Sequence, residues 1–208
     1  GWVNFKNKNI EERLQYFSQF NIVKGFRHIV QAEPDGFFQN ENFLNGIRTL
    51  NSFGYTYDIL IYQNQLKQAT EFVNKFPEQK FVIDHCTKPN IKNNKINAWK
   101  KWMNEISKNE NVYCKLSGLL TEAEWKKWNE KDLYPYLDAV FESFGTERLL
   151  FGSDWPVMLL SGTYAKWKNL LEKYMEHFSE QQKQKVFGEN AIKFYSLITH
   201  TLYHEPES

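Results

Sequence analysis

Five short runs of β-branched and aromatic residues recur along this chain, each separated from the next by a stretch of helical period. The runs span 22–31, 55–62, 80–85, 111–117 and 147–152, and they begin 33, 25, 31 and 36 residues apart. Parallel strands need crossovers of a dozen or more residues, usually helical, so this spacing predicts βαβ units and a parallel sheet. The gaps agree. Ile10, Leu14 and Phe17 share one helical face, as do Phe43, Ile47 and Leu50, and Leu66, Ala69, Phe72 and Phe76. Trp99, Trp102 and Ile106 form another stripe, and Leu133, Leu137, Val140, Phe141 and Phe144 a fifth. Gly54 and Gly145 stand where a helix should hand over to a strand. Asn64, Asn97 and Ser179 are expected N-caps, the last with Gln182 three residues on. Positions 163–178 predict a long closing helix and 179–197 one or two more.

Composition narrows the class. The chain has 208 residues, 41% hydrophobic and 17% aromatic, enough for a substantial core and incompatible with global disorder. A single domain is expected over 1–197, followed by a polar tail over 198–208. Net charge is +1, without the basic excess of a nucleic-acid or anionic-membrane binder. No run approaches 18 apolar residues, so neither nucleic acid nor membrane is an expected partner. Cys86 and Cys114 are too few for a disulfide framework and lie in apolar runs. They read as buried thiols in a reducing compartment, and with no signal-like segment the expected location is cytoplasmic.

Parallel units close into a barrel or stay open. No Gly-rich phosphate loop follows any strand, which disfavours dinucleotide and P-loop folds but leaves a flavodoxin-like sheet open. The strand ends carry the chemistry. They hold Arg27-His28, Asp58, Asp84-His85, Lys115 with Ser117, and Ser153-Asp154-Trp155-Pro156. In a barrel the C-terminal ends of strands face the active site. Each residue also has a bland reading: a satisfied core histidine, a structural Lys115 ion pair, or a turn opened by Asp154. Jointly these readings weaken, because several ionisable groups at one sheet edge are costly to bury. Two-residue alternation sends Asp84 to the face opposite His85, toward the helices. The planar fork of Arg27 beside His28 suits a carboxylate or polyhydroxy substrate. Trp125 and Trp128 read as packing residues before lid residues.

The segments GFRHIVQ (25–31), FVIDHCTKP (81–89), VYCKLSGL (112–119) and RLLFGSDWP (148–156) resemble the amidohydrolase superfamily, and more narrowly its sugar-lactonase branch. FGENA (187–191), after the last of these, is part of the same likeness. The resemblance implies a distorted (β/α)8 TIM-type barrel. Gly1-Trp2-Val3 resembles the third strand and the five runs resemble the fourth to the eighth. The strand-one His-x-His has no counterpart here, so the first two βα units are expected to lie outside this chain, in a parent about 70 residues longer on the ~250-residue scale of such barrels.

The implied activity is hydrolysis of a sugar-acid lactone of the L-fucono- or L-rhamnono-lactone type. Asp154 corresponds to the general base on water and His85 to the group that polarises the carbonyl. Arg27, His28, Lys115 and Trp155 correspond to substrate contacts. Members with a zinc-like divalent ion would use Asp154 and His85 as ligands, and other members work without metal; the sequence leaves both open. Another amidohydrolase reaction, decarboxylation or amide hydrolysis, and a non-catalytic fragment are the alternatives. The expected partner is a small sugar lactone, and unpaired strand edges favour a homo-oligomer.

Overall fold

The computed structural model describes residues 1–197, and the expected polar tail over 198–208, with His200 and His204, lies outside the described residues. Five strands form one parallel sheet: β1 (Gly25–Ile29), β2 (Thr56–Leu60), β3 (Phe81–Ile83), β4 (Val112–Leu116) and β5 (Leu149–Phe151). Their order in space is their order in sequence. A doubly wound sheet reverses its strand order at a switch point, and no reversal occurs among the described strands. The flavodoxin-like alternative is thereby removed, and the arrangement is that of consecutive barrel units. The expected strand at Gly1-Trp2-Val3 is reduced to a single parallel bridge between Trp2 and Arg27.

Helices α1 (Ile10–Phe17), α2 (Glu41–Ser52), α3 (Leu66–Val73), α4 (Asn97–Ser107) and α6 (Glu130–Phe144) fill the predicted gaps. A short α5 (Leu119–Glu122) follows β4. The closing helix is α7 (Tyr164–Tyr174), and α8 (Glu180–Gln184) and α9 (Asn190–Tyr195) flank a π-turn over Lys185–Glu189. Capping explains several boundaries. Asn40 accepts a hydrogen bond from the Phe43 amide, and Asn129 and Ser179 form capping boxes with Asp132 and Gln182. Gly145 caps α6 at φ +59 and Gly54 turns into β2 at φ +71. Asn64 and Asn97 are not N-caps. Asn64 lies inside a 3₁₀ turn and Asn97 is already the first residue of α4.

Strand alternation divides the sheet into two faces. Phe26, Tyr57, Ile59, Phe81, Ile83, Cys114 and Leu149 point outward into one core that receives the apolar stripes of α2, α3, α4 and α6. Arg27, Asp58, Val82, Tyr113, Lys115 and Leu150 share the inner face. There α9 packs Phe194 on Val82, Leu150 and Tyr113. Asn190 pins this C-terminal piece by donating to the carbonyls of Thr146 (2.7 Å) and Leu149 (2.8 Å) at the start of β5. No described helix is long and apolar enough to cross a membrane.

Candidate active site

The C-terminal ends of β3, β4 and β5 converge on a carboxylate–imidazole pair. Beyond Ile83 the chain leaves β3 and turns through four consecutive left-handed residues, His85, Cys86, Thr87 and Lys88. Non-glycine residues rarely adopt this conformation, and such strain concentrates at functional sites. Asp154, past the end of β5, is also left-handed, at φ +59. The two turns bring His85 Nε2 to 3.4 Å from Asp154 Oδ1. The other ring nitrogen, Nδ1, is 2.9 Å from the hydroxyl of Ser117 at the end of β4. Gly118, at φ +73, closes against the same ring; a Cβ there would stand 2.5 Å from His85 Cβ.

The electrostatics suit a neutral imidazole. Burial lowers the His85 pKa below its usual value, although Asp84 and Asp154 pull the other way. Asp154 Oδ2 is buried and has no hydrogen-bond partner among the described residues. An acceptor held in this way is free to take a proton from a reacting group.

A ladder of charges runs across the inner face beside this pair. Arg27 Nη1 donates to Asp84 Oδ2 at 3.2 Å. Lys115 Nζ lies 2.7 Å from Asp84 Oδ1 and 2.5 Å from Asp58 Oδ2. The Tyr195 hydroxyl of α9 donates to Asp58. Burial alone would lower the Lys115 pKa, but Asp58 and Asp84 outweigh it and raise it. Burial raises the Asp58 pKa despite Lys115, whereas for Asp84 the attraction of Lys115, His85 and Arg27 exceeds burial and lowers it.

The expected site residues therefore separate. Asp154 and His85 come together, Arg27 and Lys115 lie one step inward, and Trp155 stands beside Asp154 but is 68% exposed. His28 is not brought to this cluster. It neighbours Arg27 on β1, so its side chain takes the opposite face, where it stacks on Phe37 and its Nε2 lies 2.6 Å from Glu33. The expected direction of Asp84 is also corrected. Asp84 keeps the inward alternation of Val82 and lies 1% exposed against Lys115 and Arg27, and it is His85, left-handed past the strand end, that breaks the alternation. Ser117 is a strand-end residue whose link to His85 the sequence did not reveal. The one available signal was its place two residues beyond Lys115. Cys86 and Cys114 are buried free thiols, as expected, and burial pushes the Cys114 thiol up. Trp128 packs as expected, but Trp125 is half exposed.

Asp154 and His85 are also the two donors that the family resemblance implies for a divalent ion. A catalytic zinc takes three protein ligands, and among the described residues no group of three His, Cys, Asp or Glu is placed to hold a metal. The donors present fall short of a zinc site.

Comparison with known proteins agrees with this architecture. The chain is 31% identical to an L-fucono-1,5-lactonase of Burkholderia multivorans, over 95% of this chain and 70% of that protein. It is 29% identical to an L-rhamnono-gamma-lactonase of Scheffersomyces stipitis, over 86% and 61% of the two chains. A crystal structure of an amidohydrolase from Burkholderia multivorans with bound zinc superposes with a TM-score of 0.90 at 32% identity, covering 95% of this chain and 72% of that one. The amidohydrolase family pattern itself matches residues 18–197, most of the chain and every strand described above, and this chain belongs to that family.

Proposed function

We propose that this chain carries the hydrolytic centre of a sugar-acid lactonase. The observation that carries the reading is the pairing of Asp154 with His85 at 3.4 Å, with Asp154 Oδ2 buried and unpartnered. The relatives named L-fucono-1,5-lactonase and L-rhamnono-gamma-lactonase support the substrate class.

In this reading Oδ2 of Asp154 takes a proton from water as the water oxygen bonds to the lactone carbonyl carbon. The Ser117 hydroxyl is 2.9 Å from Nδ1 of His85, and with the hydroxyl as donor in this reading the proton of the neutral imidazole sits on Nε2. Nε2–H then donates to the carbonyl oxygen as negative charge develops there. The ring C–O bond breaks, the proton held by Asp154 passes to the leaving hydroxyl oxygen, and the aldonic acid ionises. The exposed part of Arg27, whose guanidinium already holds Asp84, contacts substrate oxygens. Lys115 is committed to Asp58 and Asp84 and acts by fixing Asp84 rather than by direct contact.

The test is acid release from L-fucono-1,5-lactone and L-rhamnono-γ-lactone, followed with a pH indicator with and without chelator. Turnover that follows lactone concentration is expected. A chelator effect assigns a metal to the active form. No acid from either lactone, with folding verified by circular dichroism, overturns the reading.

A further inference from the structure

A cavity of about 610 Å³ opens among the strand-end loops; neither Asp154 nor His85 lines it, and the reaction proposed above leaves it without a role. Three strand-end loops build it: Tyr62 and Gln63 after β2, Lys88 and Asn90 after β3, and Glu122 and Trp125 after β4. The loop after β4 is locked to His85 through the close approach of Gly118, and Lys88 belongs to the same left-handed turn as His85. Pocket and pair are therefore held by the same two turns.

The wall chemistry is selective. Among the described residues no carboxylate lies within 4.0 Å of the Lys88 ammonium, which stands 6.0 Å from the Tyr62 ring centroid. The neighbouring Lys92 is by contrast neutralised by Glu124 at 2.9 Å. Glu122 is half-buried, and burial together with Asp154 raises its pKa while Lys88 opposes them. Lys88 also lowers the His85 pKa, behind the larger effect of burial. The Trp125 ring is half exposed and fixed by a 2.8 Å hydrogen bond from Nε1 to the Thr121 carbonyl. A free cation, a carboxyl group, an amide and rigid aromatic faces suit a ligand with several hydroxyls and an apolar C–H face.

We propose that this cavity holds the polyhydroxy part of the sugar acid, whose reacting carbonyl lies at Asp154 and His85, with Lys88, Glu122 and Asn90 on hydroxyls and Trp125 against the C–H face. The assignment deepens the lactonase reading and rests on it. Lys88 and Glu122 then govern which lactone is accepted, although neither touches the water that attacks.

The experiment is calorimetric titration of this chain with L-fuconate, run beside acid release from L-fucono- and L-rhamnono-lactones. Wild type, Lys88→Met, Lys88→Arg and Glu122→Gln are compared. Loss of a charge-assisted hydrogen bond predicts that Lys88→Met weakens fuconate at least about tenfold and raises KM more than it lowers kcat. Lys88→Arg should restore most of the affinity, and Glu122→Gln should change the ratio of kcat/KM between the two lactones. Normal turnover with wild-type fuconate affinity and KM in Lys88→Met and Glu122→Gln overturns the pocket and leaves the reaction standing. Lys88-dependent fuconate binding without any acid release keeps the pocket and overturns the reaction. Neither turnover nor fuconate binding by wild type overturns both.

Discussion

The hydroxyl of Ser117 lies 2.9 Å from Nδ1 of His85, so the end of β4 orients an imidazole carried by the turn after β3. This contact decides which ring nitrogen faces Asp154. Replacing Ser117 with Ala removes a hydrogen bond worth about 1 kcal/mol and frees the ring to change tautomer. We expect kcat for acid release to fall at least about fivefold with little change in KM. An unchanged kcat would remove Ser117 from the positioning of His85.

Asp154 carries the sharpest catalytic prediction. Asp154→Asn keeps the shape of the side chain and removes its basicity. The proposed general base requires a kcat loss of at least ~100-fold with the thermal unfolding midpoint nearly unchanged. Near-normal turnover would assign proton removal to another group.

Lys115 answers to stability before activity. It neutralises Asp58 and Asp84 on a face closed by α9. Breaking a buried pair by removing one partner typically costs about 3–5 kcal/mol, because the remaining charge is left uncompensated. Lys115→Met is expected to lower the urea midpoint strongly, and adding Asp58→Asn should recover part of the loss. A single variant as stable as wild type would show that solvent screens the pair.

The His28–Glu33 contact gives a pH signature away from the catalytic pair. Burial works to raise the Glu33 pKa, but the hydrogen bond to His28 and the Lys6 ammonium outweigh it and hold it below the usual carboxylate value. A depressed folded-state pKa contributes stability above the unfolded-state value, and that stability is lost as pH falls through the folded-state one. Glu33→Gln should therefore be less stable than wild type at neutral pH, with the difference shrinking from about pH 5 to about pH 3. Chemical unfolding across that range checks it, and a gap that widens on acidification would contradict it.

Much of the scaffold was legible because its signals are local. Strand spacing, helical stripes and the Ser179–Gln182 capping box are properties of short windows, and each appears where the sequence placed it. Arg27 and His28 were both expected at the substrate, although adjacent residues of β1 must take opposite faces and the structure separates them. The same rule misled at Asp84 because it was counted from His85: Asp84 keeps the alternation of Val82, whereas His85, past the end of the strand, turns left-handed and no longer takes the opposite face.

The residue types at the strand ends, and the family they resemble, were set by the sequence alone. Tertiary structure decided which of those ends meet. Register in the parallel sheet aligns Ile83 with Cys114 and Leu116 with Phe151, and the left-handed turns then bring His85 and Asp154 together. No local window contains that information. A side chain's neighbours across a sheet come from long-range pairing, and its direction past a strand end comes from backbone angles that packing stabilises.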